Sequence, residues 1–174
     1  TEGAGEDLTP DVPVEREDMP ILAHRAARLV SSVGGPRFQS VHTDRTFGVD
    51  GVARCRVADG SFFPHYVNNP PHSAPGLSCQ CGWYAVPTDI KHPYLDKPHV
   101  DLLVELSGRV IEHETGYRAQ HQRVIECRVP ACELCGGTTH AVRFVDGWST
   151  RCSQHLLPSA EVTNYVTLTV LSEA

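Results

Sequence analysis

Four residues near the C-terminal end of the chain are spaced so that they could bind one metal ion. Two residues separate Cys132 from Cys135, and Cys152 and His155 repeat this spacing after 16 intervening residues. Zn²⁺ prefers four tetrahedral thiolate or imidazole ligands, and two such pairs supply them. His140, between the pairs, is an alternative to His155. Because the protein supplies all four ligands, the spacing predicts a closed, structural zinc site and not a catalytic one.

The segment between the two pairs predicts how they are brought together. AVRFV and WST flank Asp146-Gly147, a dipeptide typical of a β-hairpin turn. Ser149 or Thr150 could cap a short helix that carries the second pair. The order of knuckle, hairpin and helix start resembles a treble-clef zinc finger over about residues 130–158, and a zinc ribbon is the near alternative. We expect residues 131–174 to form this module, with the β-branched segment NYVTLTVL as a strand packed on it.

The remaining cysteines could form a second metal site: they are Cys55, Cys79, Cys81 and Cys127. The C-x-C-G turn at Cys79 and Cys81 could present two thiolates to one ion. Cys55 and Cys127 lie at the ends of predicted strands and could complete the tetrahedron, with His72 or His113 as substitutes. The alternative is that these cysteines are ordinary small core residues. Seven cysteines exclude a fully paired disulfide framework.

Charged and polar residues are concentrated in the segment GRVIEHETGYRAQHQRV. Glu112 and His113 would point to opposite sides of a regular strand, so they cannot act together on one substrate atom. We therefore assign no catalytic residue here. The same segment could present a surface to a protein partner, formed by Arg109, His113, Tyr117 and Arg118.

The pattern of apolar residues predicts a mainly β domain over residues 19–130, either a small irregular barrel or a sandwich. WYAVP reads as a short strand, and VDLLVELSGRVIEHE and YRAQHQRVIECRV read as two long ones around Thr115-Gly116. Gly108 is expected to be a bend or bulge. Helix content should be low, although HRAARLV could form one helical turn because alanine and arginine favour helices.

Charge is distributed unevenly along the chain. Residues 1–18 hold seven acids against one base and account for the whole formal charge of −6. Such a segment, with few large apolar residues, is expected to be a disordered tail. The neutral remainder disfavours nonspecific binding to nucleic acid, which depends on phosphate neutralisation. Neither a membrane-spanning apolar run nor a secretory signal is visible, so we expect a cytoplasmic protein.

Two motifs carry a resemblance to a known group of proteins. HSAPGLSCQCGWYAV followed by LSGRVIEHETGYRAQ resembles an uncharacterised family of actinobacterial and actinobacteriophage proteins with CxCGxYA and GRVxEHExGYRA motifs. The resemblance covers about residues 21–158. It implies a source and a shared fold, with the host cytoplasm as the location if the protein is phage-encoded, and it implies no activity.

These observations predict a non-catalytic binding or adaptor protein that is stabilised by zinc and engages a protein partner. One alternative is a nucleic-acid-binding regulator with a zinc finger. The other is a metal-dependent enzyme, which would use the region of His113 or an open metal site near Cys79 and Cys81.

Overall fold

The structure is a computed structural model. It describes residues 14–16, 19–32, 35–55, 72–90, 99–139, 141–143, 149–155 and 165–167. The described residues form antiparallel β-strands and no α-helix, which confirms the predicted mainly β class and low helix content. No described helix is long and apolar enough to cross a membrane.

The described strands, in chain order, are β1 (Val14–Arg16), β2 (Ile21–Ser32), β3 (Gly35–Ser40), β4 (Thr46–Phe47), β5 (Asp50–Val52), β6 (Trp83–Pro87), β7 (Val100–His113), β8 (Gly116–Arg128), β9 (Ala141–Arg143), β10 (Ser149–Arg151) and β11 (Tyr165–Thr167). The first eight form one sheet and the last three form another.

The larger sheet curls until its strand pairings form a ring. β7 pairs with β8, β8 with β6, β6 with β2, and β2 again with β7. Ala23 on β2 shows this directly, because it pairs with Val104 on one side and with Pro87 on the other. β6 and β2 share only two residue pairs, so this side of the ring is loosely joined. The result is an irregular, barrel-like sheet.

The core lies inside this curled sheet. Alternate residues of the first half of β7 are fully buried, namely Val100, Leu102, Val104 and Leu106. This period of two is what a strand with one buried face requires. Each large aliphatic side chain contributes about 1.5–3 kcal/mol when it leaves water. Ala23 and Ala27 on β2 pair with Val104 and Val100, and their buried side chains belong to the same core cluster.

Gly108 interrupts the alternation of β7, as the sequence predicts. It adopts a φ of 69°, and the register between β7 and β8 shifts between Ser107 and Val110. Beyond this bulge the adjacent residues Val110 and Ile111 are both buried. The bulge therefore changes the direction of the β7–β8 hairpin, so that the part beyond Gly108 pairs with β1 and β6.

The smaller sheet has the strand order β10-β9-β11. The hairpin expected between the two Cys/His pairs is β9 and β10, and a single 3-10 turn at Ser153–His155 follows it. The predicted C-terminal strand is present at Tyr165–Thr167 and pairs with β9. The order of knuckle, hairpin and helical turn is thus the expected one.

Two expectations need correction. Val14–Arg16, at the end of the segment predicted to be disordered, pairs with β7 because the edge of β7 offers backbone groups beyond the bulge. The rest of that segment, residues 1–13 and 17–18, lies outside the described residues. HRAARLV belongs to β2 and not to a helix, since pairing with β3, β6 and β7 outweighs the helix propensity of alanine and arginine.

Candidate metal centres

The structure brings together the four predicted ligands of the C-terminal module. The ligand atoms of Cys132, Cys135, Cys152 and His155, which we call the C-terminal cluster, all lie within 4.8 Å of one another. The Cys135 and Cys152 sulfurs are 3.6 Å apart, and the Cys132 sulfur lies 3.6 Å from His155 Nδ1. Zn–S and Zn–N bond lengths in a tetrahedron give about 3.8 Å between sulfurs and about 3.6 Å between sulfur and nitrogen. The cluster could therefore hold a tetrahedral metal ion.

Local backbone geometry builds the first half of this cluster. Gly136 takes a φ of 70°, which a residue with a Cβ rarely adopts. Its N–H donates to the carbonyl of Cys132 at 2.7 Å, and Cys132 N–H donates to the carbonyl of Gly137 at 2.8 Å. Thr150 Oγ1 donates to the carbonyl of Ala131 at 2.6 Å and so ties the knuckle to β10. His140, the alternative ligand, lies outside the described residues.

In the C-terminal cluster the pKa values of the Cys132 and Cys152 thiols are lowered. The pKa of Cys135 is raised, because the Gly137 N–H, which lowers it, is outweighed by hydrogen bonding to Cys152 and Cys132. Burial opposes the ionisation of Cys132, but three backbone N–H groups and the His155 side chain lower the pKa of this thiol to about 6. Cys132 and then Cys152 raise the pKa of His155. Donors directed at sulfur favour the thiolate, which is the form that binds metal.

A second cluster forms where the chain enters β6. The ligand atoms of Cys55, His72, Cys79 and Cys81, which we call the loop cluster, also lie within 4.8 Å of one another. The Cys55 and Cys79 sulfurs are 3.7 Å apart, and His72 Nε2 lies 3.2 Å from the Cys81 sulfur. These separations again approach those of a tetrahedral zinc site. All seven cysteines are free thiols, so no disulfide competes for these sulfurs.

The fourth place in the loop cluster belongs to His72 and not to Cys127. Cys127 lies near the end of β8, opposite Leu102, and its side chain packs against the core. Burial raises the pKa of the Cys127 thiol to about 12, with Asp101 and Glu126 adding to the effect. Cys127 is thus a small residue that packs against the core, which is the alternative to a metal ligand considered above. His113, the other substitute, accepts a hydrogen bond from Arg118 and is not part of the cluster.

Two glycines allow the loop to fold around its sulfurs. Gly76 N–H donates to the Cys81 sulfur at 3.2 Å, and a Cβ at Gly76 would lie only 2.7 Å from the His72 ring. Gly82 has a φ of 124°, and a Cβ there would lie 3.0 Å from Pro75. The glycines of the sequence HSAPGLSCQCG therefore serve the geometry of the loop cluster.

The loop cluster differs from the C-terminal cluster in its charge state without metal. Burial is the largest influence on Cys81 and raises the pKa of its thiol to about 12, although the hydrogen bond from Gly76 opposes it. This thiol therefore keeps its proton at neutral pH when metal is absent. Metal binding there must release that proton, so formation of the site is linked to proton release.

The hairpin residues proposed as a partner surface lie in a different environment from the one predicted. Arg118 is 4% exposed, so it cannot present its guanidinium to a partner. Its Nε donates to His113 Nε2 at 2.8 Å, so these two side chains bond to each other. Arg109 and Tyr117 are half-buried. The expectation that Arg118 is exposed was wrong because the loop that carries Gly76 and Cys79 covers its guanidinium.

A buried arginine that was not predicted lies inside the larger sheet. Arg25 Nη1 donates to the carbonyl of Tyr84 at 3.1 Å and to Gln122 Oε1 at 3.2 Å. Its guanidinium lies 4.9 Å from the Phe47 ring centre and 5.0 Å from that of Trp83. Burial lowers the pKa of Arg25 to about 10. The sequence signal was its place between the apolar residues of β2.

No protein-family model, curated protein or solved structure matches this chain. The geometry of the two clusters is therefore the main guide to what the protein does.

Proposed function

We propose that the protein is a non-catalytic, zinc-stabilised binding protein that engages a protein partner through loops ordered by metal. The observation that carries the proposal is the four-residue composition of the clusters. Each offers four protein ligand atoms within 4.8 Å, enough to fill the tetrahedral sphere of Zn²⁺. A catalytic zinc keeps one position for water or substrate, and a filled sphere leaves none.

Exposed leucines beside the ligands support a binding role. Leu134, between Cys132 and Cys135, is 62% exposed, and Leu77, between His72 and Cys79, is 52% exposed. Metal binding would fix the backbone of both loops, so each leucine would be presented at little further cost in conformational entropy. An exposed apolar side chain on a rigid loop can bury its surface against a protein partner.

The described arginines around the C-terminal module give little support to nucleic-acid binding. Arg151 pairs with Glu133 at 3.2 Å, and Arg128 pairs with Glu126 at 2.9 Å. Phosphate binding needs uncompensated positive charge. Their positive charge is already partly balanced within the protein.

Seven free thiols fit a reducing compartment, and we place the protein in the cytoplasm of an actinobacterium or of a phage-infected host. The source rests on the resemblance of the CxCGxYA and GRVxEHExGYRA motifs.

Azide binding to the Co²⁺-substituted protein tests whether the clusters are closed. A closed Cys3His sphere should show tetrahedral d–d bands and thiolate charge-transfer bands that excess azide leaves unchanged. A spectral change that saturates with azide would reveal an open position and favour the metal-dependent enzyme.

Partner binding is tested by capture from an actinobacterial lysate, with the wild-type protein compared with Leu77→Ser and Leu134→Ser. Because both leucines are exposed, the variants should keep their fold and zinc content while retaining less partner. Leu22→Ser, at an exposed leucine outside both loops, is the matched control. Equal retention by all three variants would contradict the role of the metal-ordered loops.

A further inference from the structure

Arg118 is a buried cation with only neutral partners. It lies on β8, and its Nη1 donates to the backbone carbonyls of Cys79, Gly76 at 3.2 Å and Cys81 at 3.4 Å. Its Nε donates to the His113 ring. No carboxylate pairs with it among the residues that the structure describes. A buried charge without a counter-charge is strongly unfavourable, so these contacts leave the positive charge of Arg118 unexplained.

The ligand set of the loop cluster supplies the missing counter-charge when it holds a divalent metal. Three thiolates and one neutral imidazole around a divalent ion carry a net charge of −1. Two of the carbonyls that Arg118 contacts belong to Cys79 and Cys81, which also provide sulfurs. Arg118 and the metal centre would then be neutral together. Outer-shell groups of this kind orient the ligands of a metal and tune its affinity.

The C-terminal cluster does not need such a residue. Cys135 is exposed there, so solvent can screen the charge of a metal centre. The nearby Arg151 is already paired with Glu133. Each cluster contains two buried cysteines, but the third cysteine of the loop cluster, Cys81, is half-buried whereas Cys135 is exposed, so water screens the loop cluster less.

We propose that the loop cluster is a second Zn²⁺ site, ligated by Cys55, His72, Cys79 and Cys81, and that Arg118 is its positioning residue and counter-ion. Arg118 holds the loop through backbone carbonyls and balances the charge of the zinc–thiolate centre. This inference rests on the proposed function in one respect, that the loop cluster holds metal, and its test measures metal content and affinity and not partner binding.

The test measures zinc content and zinc affinity, by elemental analysis and chelator competition, in the wild-type protein and four variants. The wild type should hold two zinc ions per chain, and Cys81→Ser should hold one. Arg118→Met should weaken zinc binding at the loop cluster by about 10–100-fold, the usual effect of losing an outer-shell partner, and leave the C-terminal zinc unchanged. Arg123→Met removes an exposed arginine from the same strand and should change neither site.

Arg118→Lys separates the charge from simple packing. Lysine keeps the positive charge but loses the planar fork, so affinity at the loop cluster should recover in part relative to Arg118→Met. If both variants weaken binding equally, Arg118 does not act as a counter-ion. One zinc per chain in the wild type, with no change in Cys81→Ser, would overturn the second site even if the arginine variants failed to fold.

Discussion

When the protein is mixed with excess chromogenic chelator, zinc should be released and the ligand thiols should become reactive in two kinetic phases, one for each cluster. The C-terminal cluster should release its zinc first because Cys135 is exposed, whereas the corresponding Cys81 of the loop cluster is half-buried and its loop is held by Arg118. Each phase should yield one zinc ion and three thiols, since each ligand set contains three cysteines and one histidine. Six of the seven thiols are therefore accounted for, and Cys127 should appear in neither phase.

The reactivity of Cys127 can be estimated from its environment. With a pKa of about 12, the fraction present as thiolate at pH 8 is only about one in ten thousand. Burial should slow its reaction further, so it should react with a disulfide reagent only after unfolding. Cys127→Ser should consequently leave both phases intact.

The assay follows zinc with 4-(2-pyridylazo)resorcinol and thiols with a disulfide reagent in parallel samples. Cys135→Ser should remove the fast phase, and Cys81→Ser should remove the slow phase. Four thiols released with the slow zinc would place Cys127 among the ligands and refute the assignment of His72. Release of thiols without zinc in either phase would refute metal occupancy of that cluster.

Two further predictions concern the larger sheet and are tested by urea unfolding of the zinc-loaded protein. Gly116→Ala should lower the free energy of unfolding by about 1–3 kcal/mol, because the new Cβ would lie 2.5 Å from the backbone oxygen of Ala85 and β6 must move away. Gly48→Ala is the control and should be near neutral, because no atom lies within 4 Å of its Cβ position. Equal stability of the two variants would contradict this close approach. The free energy of unfolding of Arg25→Met should lie within about 1 kcal/mol of the wild-type value or above it. Lowering the Arg25 pKa from 12.5 to about 10 corresponds to a burial penalty of about 3 kcal/mol, and the hydrogen bonds that Arg25 makes offset this penalty. Because the folded pKa lies below the unfolded one, the penalty is fully present below about pH 10 and fades as pH rises past it. A loss of more than about 3 kcal/mol at pH 7 in Arg25→Met would show that its contacts outweigh its burial.

Local patterns in the sequence were sufficient to predict much of the fold. β7 and β8 were visible as alternating segments around Thr115-Gly116, and Gly108 was recognisable as a bulge. The C-terminal cluster was equally accessible, because each of its ligand pairs is separated by only two residues. Turn motifs and strand periodicity involve only residues that are close together in the chain, so both can be recognised in a single sequence.

Features that depend on pairing between distant strands were not accessible in this way. Cys127 and His72 were both reasonable fourth ligands for the second site, and only the register of β8 against β7 places Cys127 at the core. Arg118 looked like a surface charge because nothing in its own segment shows that the loop carrying Cys79 folds over it. In both cases the deciding contacts join residues far apart in the chain.

Closure of the loop cluster has a consequence for how this chain can vary in length. Cys55 and His72 flank an intervening segment of 16 residues, and a metal ion bound in the loop cluster would hold both ends of that segment together. The entropic cost of closing such a loop grows only logarithmically, so doubling its length costs only about 0.6 kcal/mol more. With zinc bound, inserting an epitope tag of about the length of this segment should therefore cost the fold only about 0.6 kcal/mol.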